Sequence, residues 1–445
     1  MRAYLASAIG VACTAALVLP SVSVASSAPL ATAVSAPAPA GEALPGSTQS
    51  LPLTPLAPRS ERSASPAATP QGLAERDVQP FSLVGVVWDD ASAELDGTVQ
   101  VRTRAAGRGT WSAWQHVETH NSEHAADPGT AERDSGKVRG STAPLWVGAS
   151  DGVEVRVQSA SGGPSENPAQ HESPAQHENA APSERAVRAP LPAGLRLELV
   201  DPGAPPPAGS SDAADAGRSS LATELPALTR AETEADAGLV AARPYIGPRP
   251  RIITRKGWGA DERMRERKLG YTETVKAAFV HHSATGNNYS CGQASSVLRS
   301  IYRYHVKSSG WRDFGYNFAV DKCGNIYEGR AGGVAKPVLG AHTLGFNTNS
   351  TGIAVIGTYT SSNPPAAAVN AIARITAWKL GLHGANPRAR TTLKSGGGNL
   401  YKKGANVRLH VISGHRDGFA TECPGGRLYN KLGTARSSSA RLQGR

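Results

Sequence analysis

The sequence predicts a multidomain protein. A C-terminal α/β domain, with a mixed sheet and flanking helices, follows an antiparallel β-sandwich-like domain and linkers rich in Pro and Ala. Three observations predict this class. The chain has 445 residues, whereas single cores stop growing at about 250–300 residues. Short alternating strands fill residues 80–200, and strands alternate with helices after residue 250. Aromatic residues make up only 5% of the chain, which is typical of long linkers.

The N-terminus predicts export. Residues 1–25 combine a basic Arg2, an apolar stretch over 5–19 and small residues before a cleavage point, which is the pattern of a secretory signal peptide. Beyond it, no apolar run approaches the roughly 18–20 residues of a membrane span. We therefore expect a secreted, extracellular protein without a membrane span in the mature chain. Residues 26–79 are rich in Ala, Pro, Ser and Thr without periodicity, and predict a disordered linker.

Residues 80–200 predict the β-sandwich-like domain. Five apolar or alternating runs are separated by turn signals such as Asp96-Gly97 and Asp151-Gly152. These runs cover 81–88, 97–103, 145–147, 153–157 and 195–199, and a sixth run covers 111–117. Two polar insertions interrupt the domain, near 119–141 and 159–190. The pattern predicts no specific function for it.

The C-terminal part predicts strands and helices in alternation. Residues 201–249 form a second linker, 250–430 the α/β domain and 431–445 a basic tail. Helices are predicted at 293–307, where Val297, Ile301 and His305 share a face, and at 366–380. Strands are predicted at 277–281, 314–320, 325–328, 352–359 and 410–413.

Charge is distributed unevenly between the two parts of the chain. Residues 251–445 contain 29 Lys and Arg against 9 Asp and Glu, a net charge of +20, whereas the first 250 residues carry −9. A basic field of this size favours an anionic polymer as partner. Export makes nucleic acid a poor candidate, so the anionic bacterial cell wall is the better one.

Histidines and cysteines predict a metal site. Cys13 would be removed with the signal peptide, so the mature chain contains Cys291, Cys323 and Cys423. Outside the cell, two of these three cysteines are expected to form a disulfide. His281 and His282 end a predicted strand, and a later loop carries His415 as well as Cys423. Two imidazoles and one thiolate, with a fourth position left to water, are typical of a catalytic zinc site.

Several motifs in order resemble a known family. They are ITRKGWGAD (253–261), FVHHSAT (279–285), WRDFGYNFAVDKCGNIYEGR (311–330), GAHTLGFN (340–347) and GHRDGFATECPG (414–425). Residues 250–430 resemble peptidoglycan recognition proteins and the related zinc amidases of phage lysins. The resemblance implies an N-acetylmuramoyl-L-alanine amidase. Such an enzyme hydrolyses the amide between the lactyl group of muramic acid and the first residue of the stem peptide. We also expect a monomer.

The resemblance assigns roles to individual residues. It implies that Zn²⁺ is held by His281, His415 and Cys423, that Tyr316 and Thr421 are catalytic, and that His342, Asn347 and Arg330 bind substrate. Phage enzymes carry lysine where this chain has Thr421, so the positive charge of that lysine is missing here. Ala331-Gly332 replaces the usual pair that selects the third stem residue, so the resemblance does not identify that residue.

With Cys423 on the metal, Cys291 and Cys323 are left to form a disulfide. It would close a loop of about 32 residues and stabilise the fold by roughly 3–4 kcal/mol in the chain-entropy estimate. A rival pairing that includes Cys423 would abolish the metal site.

Two other functions remain open at this point. The C-terminal domain could be a recognition module that binds peptidoglycan without cleaving it, although members that only bind typically lack the cysteine ligand. Alternatively, the domain at 80–200 could carry the main function, as an adhesin or a wall-targeting module.

Overall fold

A computed structural model describes residues 45–56, 69–160, 190–204, 222–238 and 245–445. The predicted signal peptide, most of the first predicted linker, part of the second and nearly all of the second polar insertion lie outside these residues. Residues 44 onward group into one compact unit. In the part of the chain that the structure describes, no helix has the length and apolar character needed to cross a membrane.

The N-terminal domain is antiparallel throughout its described strands. Its strands are β1 (Ser47–Pro52), β2 (Thr54–Pro55), β3 (Gln71–Trp88), β4 (Gly97–Ala105), β5 (Gln115–Val117), β6 (Gly140–Ser141), β7 (Leu145–Ser159) and β8 (Arg196–Asp201). They pair in the order β1-β8-β3-β7-β4-β5, and both β2 and β6 also pair with β3. The long strand β3 pairs with β7 through several register shifts, which bend the sheet around its own core.

The second part of strand β3, residues 81–88, is largely apolar on both faces because it contributes to two cores. Val84 and Val86 pack in the core of the N-terminal domain. Leu83 and Val87 point the other way, into a cluster with residues of the C-terminal domain. A strand that is covered on both sides needs no polar face. This explains why the run at 81–88 shows no alternation, and it means that the two domains share an apolar core.

The C-terminal domain is built on a mixed sheet, as the sequence predicts. Its strands are β9 (Glu224–Leu225), β10 (Ile252–Ile253), β11 (Ala277–His282), β12 (Phe318–Val320), β13 (Ile326–Glu328), β14 (Ser350–Val355) and β17 (Ile412–Gly414). They are ordered β17-β11-β14-β12-β13-β10-β9. The central pairs β17-β11, β11-β14 and β14-β12 are parallel, whereas β12-β13 and β9-β10 are antiparallel. A separate antiparallel ribbon joins β15 (Arg390–Lys394) to β16 (Asn406–His410).

Helices cover both faces of this sheet. They are α1 (Arg230–Asp236), α2 (Arg255–Trp258), α3 (Ala294–Arg303), α4 (Ala366–Leu382), α5 (Gly426–Tyr429) and α6 (Leu432–Leu442). Helix α3 continues into a π-helical turn at Tyr304–Ser308. Strand β14 shows the layering, because Ala354 packs with α3 and Ile353 with α4. Two helical layers therefore enclose the sheet.

Polar contacts fix the interface between the domains. The Tyr304 hydroxyl donates to the Thr142 carbonyl at 3.0 Å. The Ser308 hydroxyl donates to the Glu198 carboxylate at 2.8 Å. All four residues are buried. The interface is therefore a packed core that contains buried hydrogen bonds between the domains.

Regular structure extends beyond the predicted domain boundaries. Strand β1 lies in the segment predicted as the first linker, and β9 and α1 lie in the predicted second linker. The predicted basic tail forms α6, which buries Leu432 and Ala435. These elements are short or only partly apolar, and their partners lie far away in the sequence; β1, for example, pairs with β8 over six residues. Local periodicity therefore gives little sign of them.

Glu198 provides a stability test of the interface. Its carboxylate is 2% exposed and also accepts a hydrogen bond from Ser50 at 2.5 Å. Burial raises its pKa above the ordinary 4.5. The stability that Glu198 contributes is therefore fully present below pH 4.5 and is lost as pH rises through the folded-state pKa. We expect Glu198→Gln to raise the thermal midpoint at pH 8 and to have less effect at pH 4. An equal change at both pH values would contradict this explanation.

Candidate metal centre and its groove

Two parallel strands bring two predicted ligands together. Strands β11 and β17 are neighbours, and Val280 lies opposite Gly414. His281 follows Val280 and His415 follows Gly414. Because the carboxyl ends of parallel neighbours lie at the same edge of a sheet, both imidazoles emerge at one point. Their ring centroids are 4.5 Å apart, and both side chains are fully buried.

Cys423 joins the two histidines from the loop that follows. Its Sγ lies 3.8 Å from His281 Nδ1, and the residue is 3% exposed. On the other side of the ring, His281 Nε2 lies 3.3 Å from His342 Nδ1. A partner on one ring nitrogen holds the imidazole so that the other nitrogen faces the cluster. The structure therefore places the three predicted ligands together.

A fourth donor comes from the N-terminal domain. One ligand atom each from His124, His281, His415 and Cys423 lies within 4.8 Å of the others. The His124 ring centroid is 4.4 Å from that of His415. No sequence pattern pointed to His124, which lies in the first polar insertion. Histidine in a polar loop carries no periodicity that would link it to a strand more than 150 residues away.

The cluster suits a divalent cation. Both ring nitrogens of His124 and of His415 are buried without a hydrogen-bond partner, although the backbone of Glu123 approaches His415. Buried polar atoms without partners are costly, and coordination to a metal would satisfy them. Three nitrogens and one sulfur form a donor set that Zn²⁺ accepts in tetrahedral geometry.

Burial dominates the protonation of these groups. It lowers the pKa of His281 and His415 well below 6.5, and that of His124 to about 3, so these imidazoles are neutral and able to coordinate. It raises the pKa of the Cys423 thiol. A divalent cation at the cluster would counteract this last shift, because a coordinating thiol is deprotonated.

The two predicted catalytic side chains border the cluster. The Tyr316 ring centroid is 5.2 Å from that of His281, and the residue is buried. Burial also raises the pKa of Tyr316, so its phenol stays protonated and can donate a hydrogen bond. The Thr421 hydroxyl donates to the Glu123 carboxylate at 2.8 Å. Tyr316 therefore lies next to His281, and Thr421 accepts a hydrogen bond from the Cys423 backbone N–H at 3.1 Å, so both border predicted ligands.

The predicted substrate-binding residues differ in their surroundings. Arg330 makes two hydrogen bonds to the Glu132 carboxylate, at 2.6 and 2.9 Å. The Asn347 amide donates to Asp127 at 2.6 Å. Residues of the first polar insertion therefore contact both. His342 does not line an open groove: it is fully buried behind His281, where it contacts His281 Nε2. Its contact with substrate stays a prediction, and the structure gives it a contact to a predicted metal ligand.

The cysteines are arranged in agreement with the prediction. Cys291 and Cys323 form a disulfide, and Cys423 is a buried free thiol. We expect alkylation of the unreduced, denatured mature chain, followed by peptide mass analysis, to label Cys423 alone. In the native protein, labelling should require prior treatment with a chelator. A label on Cys291 or Cys323 would contradict this pairing.

Comparison with known proteins identifies both domains. The family model "N-acetylmuramoyl-L-alanine amidase" matches residues 271–426, and the model "Rv3811 N-terminal galactose-binding domain-like" matches residues 35–183. The Drosophila structure "PGRP-LB wild-type" is 27% identical, covering 41% of this chain and 92% of that chain with a TM-score of 0.33.

The curated relatives include an amidase and a peptidoglycan-recognition protein. The human N-acetylmuramoyl-L-alanine amidase is 31% identical over 42% of this chain and 28% of its own length. Peptidoglycan-recognition protein SC2 of Drosophila melanogaster is 31% identical over 185 residues, which are 41% of this chain and 85% of that relative. On this similarity, the chain belongs to the family of peptidoglycan recognition proteins and N-acetylmuramoyl-L-alanine amidases.

Proposed function

We propose that this protein is a secreted Zn²⁺-dependent N-acetylmuramoyl-L-alanine amidase. It hydrolyses the amide between the lactyl group of N-acetylmuramic acid and the L-alanine of the stem peptide. The single observation that carries the proposal is the position of Cys423, whose sulfur lies beside the imidazoles of His281 and His415 at the sheet edge. A protein that only binds peptidoglycan has no need of this thiol.

The expected location and partner agree with the charge of the chain. The net charge of +20 over residues 251–445 attracts an anionic wall polymer. The predicted signal peptide would deliver the enzyme to the compartment that contains peptidoglycan. We therefore propose that the protein acts outside the cell and is associated with the wall.

The metal ligands have a defined arrangement. His281, His415 and Cys423 would hold the ion, and His342 would orient His281 through its Nε2. A bound Zn²⁺ supplies Lewis acidity, which polarises the scissile carbonyl and lowers the pKa of a water. The burial of the three ligands keeps bulk water away from this chemistry.

The remaining residues act on the substrate directly. Tyr316 lies next to His281 and would donate its phenolic proton in a hydrogen bond to the scissile carbonyl oxygen, where negative charge develops. Thr421 would donate a second hydrogen bond to the same oxygen. Arg330 would bind a carboxylate of the stem peptide with its guanidinium fork, and Asn347 would donate to a peptide or carboxylate oxygen.

Product analysis tests the proposal. The assay uses the mature chain and its His124→Ala variant, which lacks the fourth donor of the cluster. Each protein is incubated, with Zn²⁺ or with a chelator, with muropeptides that carry either diaminopimelic acid or lysine at the third stem position. We expect Zn²⁺-dependent release of a stem peptide with a free L-alanine amino terminus, detected by mass. Intact muropeptides with both Zn²⁺-loaded proteins would contradict hydrolysis. Tight binding without any product would instead support the non-catalytic recognition module.

A further inference from the structure

A segment of the N-terminal domain covers the candidate active site. Residues 118–139 connect β5 to β6 and are called here the 118–139 loop. The loop contacts the residues to which we assign catalysis and substrate binding. Its contacts are Glu123 with Thr421, His124 with Tyr316, Ala125 and Asp127 with Asn347, and Glu132 with Arg330.

His124 lies where a hydrolytic metal site needs an open position. Catalytic zinc sites hold three protein ligands and leave the fourth position to water or substrate. The ring centroid of His124 is 4.4 Å from that of His415 and 5.3 Å from that of His281. It is 5% exposed, and neither ring nitrogen has a hydrogen-bond partner. Its position therefore completes a set of four donors and leaves no open one.

Two carboxylates of the loop make the contacts expected of an anionic substrate. Glu132 forms a two-pronged ion pair with the buried Arg330. Asp127 Oδ1 accepts from the Asn347 amide at 2.6 Å and from the Gly345 backbone at 2.8 Å. Guanidinium and amide groups of this kind would recognise the carboxylates of a stem peptide. The loop thus occupies the polar groups that the substrate requires.

The remaining space is too small for a muropeptide. The cavity beside His124 and Cys423 measures about 10 Å³, close to the lower limit for one water molecule. A second cavity, beside Arg330 and Asp127, measures about 130 Å³. Sites for small organic ligands measure roughly 300–1,000 Å³. Substrate and loop therefore cannot occupy the groove together.

We propose that the 118–139 loop is an autoinhibitory segment that keeps the amidase latent. His124 blocks the metal, and Asp127 and Glu132 block the groove until the loop is displaced. This proposal rests on the proposed function. Displacement does not require the domains to separate, because the contacts of Tyr304 and Glu198 at the domain interface lie outside the loop.

A comparison of His124→Ala with His120→Ala tests the proposal. His120 belongs to the same loop but is exposed and is not one of the four grouped donors. Each protein and the wild type are loaded with Co²⁺, whose visible absorption reports the nitrogen and sulfur donors around it. Muropeptide affinity and Zn²⁺-dependent hydrolysis are measured in parallel.

The expected results separate the loop proposal from the proposed function. His124→Ala should change the Co²⁺ spectrum and increase muropeptide affinity and hydrolysis by roughly tenfold or more, because the closed state reduces the competent fraction. His120→Ala should match the wild type. Equal spectra and affinities in all three proteins would overturn the loop proposal, even if all of them cleave substrate. If none of the three proteins cleaves substrate, a higher muropeptide affinity of His124→Ala would still support occlusion of the groove by the loop. The absence of cleavage would then refute the proposed amidase activity instead.

A double variant tests the proposal independently, in case His124→Ala does not fold. Asp127→Asn with Glu132→Gln removes both charges but retains the shapes and His124. We expect this protein to bind muropeptide roughly tenfold or more tightly than the wild type while its Co²⁺ spectrum is unchanged in the absence of muropeptide. An unchanged affinity would count against the role of the carboxylates as substrate mimics and would overturn that part of the proposal.

Discussion

Cys423→Ala should abolish both metal binding and hydrolysis. The substitution removes the sulfur that lies 3.8 Å from His281 Nδ1 and leaves only imidazole donors at the cluster. Loss of a direct ligand should lower Zn²⁺ affinity by more than the roughly 10–100-fold that loss of an outer hydrogen-bond partner costs. Metal content after dialysis and product formation by mass spectrometry, measured in the His124→Ala background, check this result.

Glu422→Gln is the matched control for Cys423→Ala. Glu422 is the preceding residue of the same loop, and its side chain is 70% exposed in an ion pair with Arg416. The control should retain its metal and its activity. If Cys423→Ala also retained one tightly held Zn²⁺ per chain, the thiol would not be a ligand and the assignment of the site would be wrong.

Tyr316→Phe should lower turnover strongly while the metal stays bound. The Tyr316 ring centroid lies 5.2 Å from that of His281, and loss of one hydrogen bond to a developing oxyanion costs roughly 10²–10³-fold in kcat. The effect should fall on kcat rather than on KM, because the hydrogen bond strengthens only as charge develops. Steady-state kinetics in the His124→Ala background, together with metal analysis, measure both quantities.

Tyr302→Phe is the matched control for Tyr316→Phe, because it removes a buried tyrosine hydroxyl elsewhere in the chain. Tyr302 is buried in α3, where its hydroxyl donates to the Asp261 carbonyl, away from the metal ligands. Its loss should affect stability and leave kcat close to that of the parent. A Tyr316→Phe protein with full turnover would remove Tyr316 from the mechanism.

The sequence carried most of the information about the C-terminal domain. The apolar run before His281 and the strand before His415 are both local signals, and parallel pairing of two strands brings their ends together. The family motifs, in their order, then predicted Cys423 as the third ligand, and the structure places its sulfur beside His281. Helix α4 was also predicted within two residues at its end, because its apolar spacing and flanking Pro and Gly are local features.

The contribution of the N-terminal domain could not be predicted in this way. His124, Asp127 and Glu132 lie in a polar insertion, and polar loops lack periodicity. Their partners Cys423, Asn347 and Arg330 are remote in the sequence, so only the tertiary structure brings them together. The unbroken apolar run at 81–88 was one indirect signal, because a strand buried on both faces implies a second domain packed against it.

The N-terminal domain therefore has a direct relation to the proposed chemistry. Its strand β3 shares a core with the C-terminal domain, and its 118–139 loop reaches the metal cluster. An acidic N-terminal part and a basic C-terminal domain also attract each other. Under the proposed function, this arrangement would keep the enzyme inactive until the loop is displaced.

Zinc K-edge X-ray absorption on the intact mature chain tests the metal centre most directly. The expected result is one Zn²⁺ per chain with one sulfur and three nitrogen neighbours, which are supplied by Cys423, His124, His281 and His415. The His124→Ala protein should show one nitrogen fewer and an oxygen in its place. A substoichiometric metal content, or a coordination sphere without sulfur, would contradict both the site and the mechanism built on it.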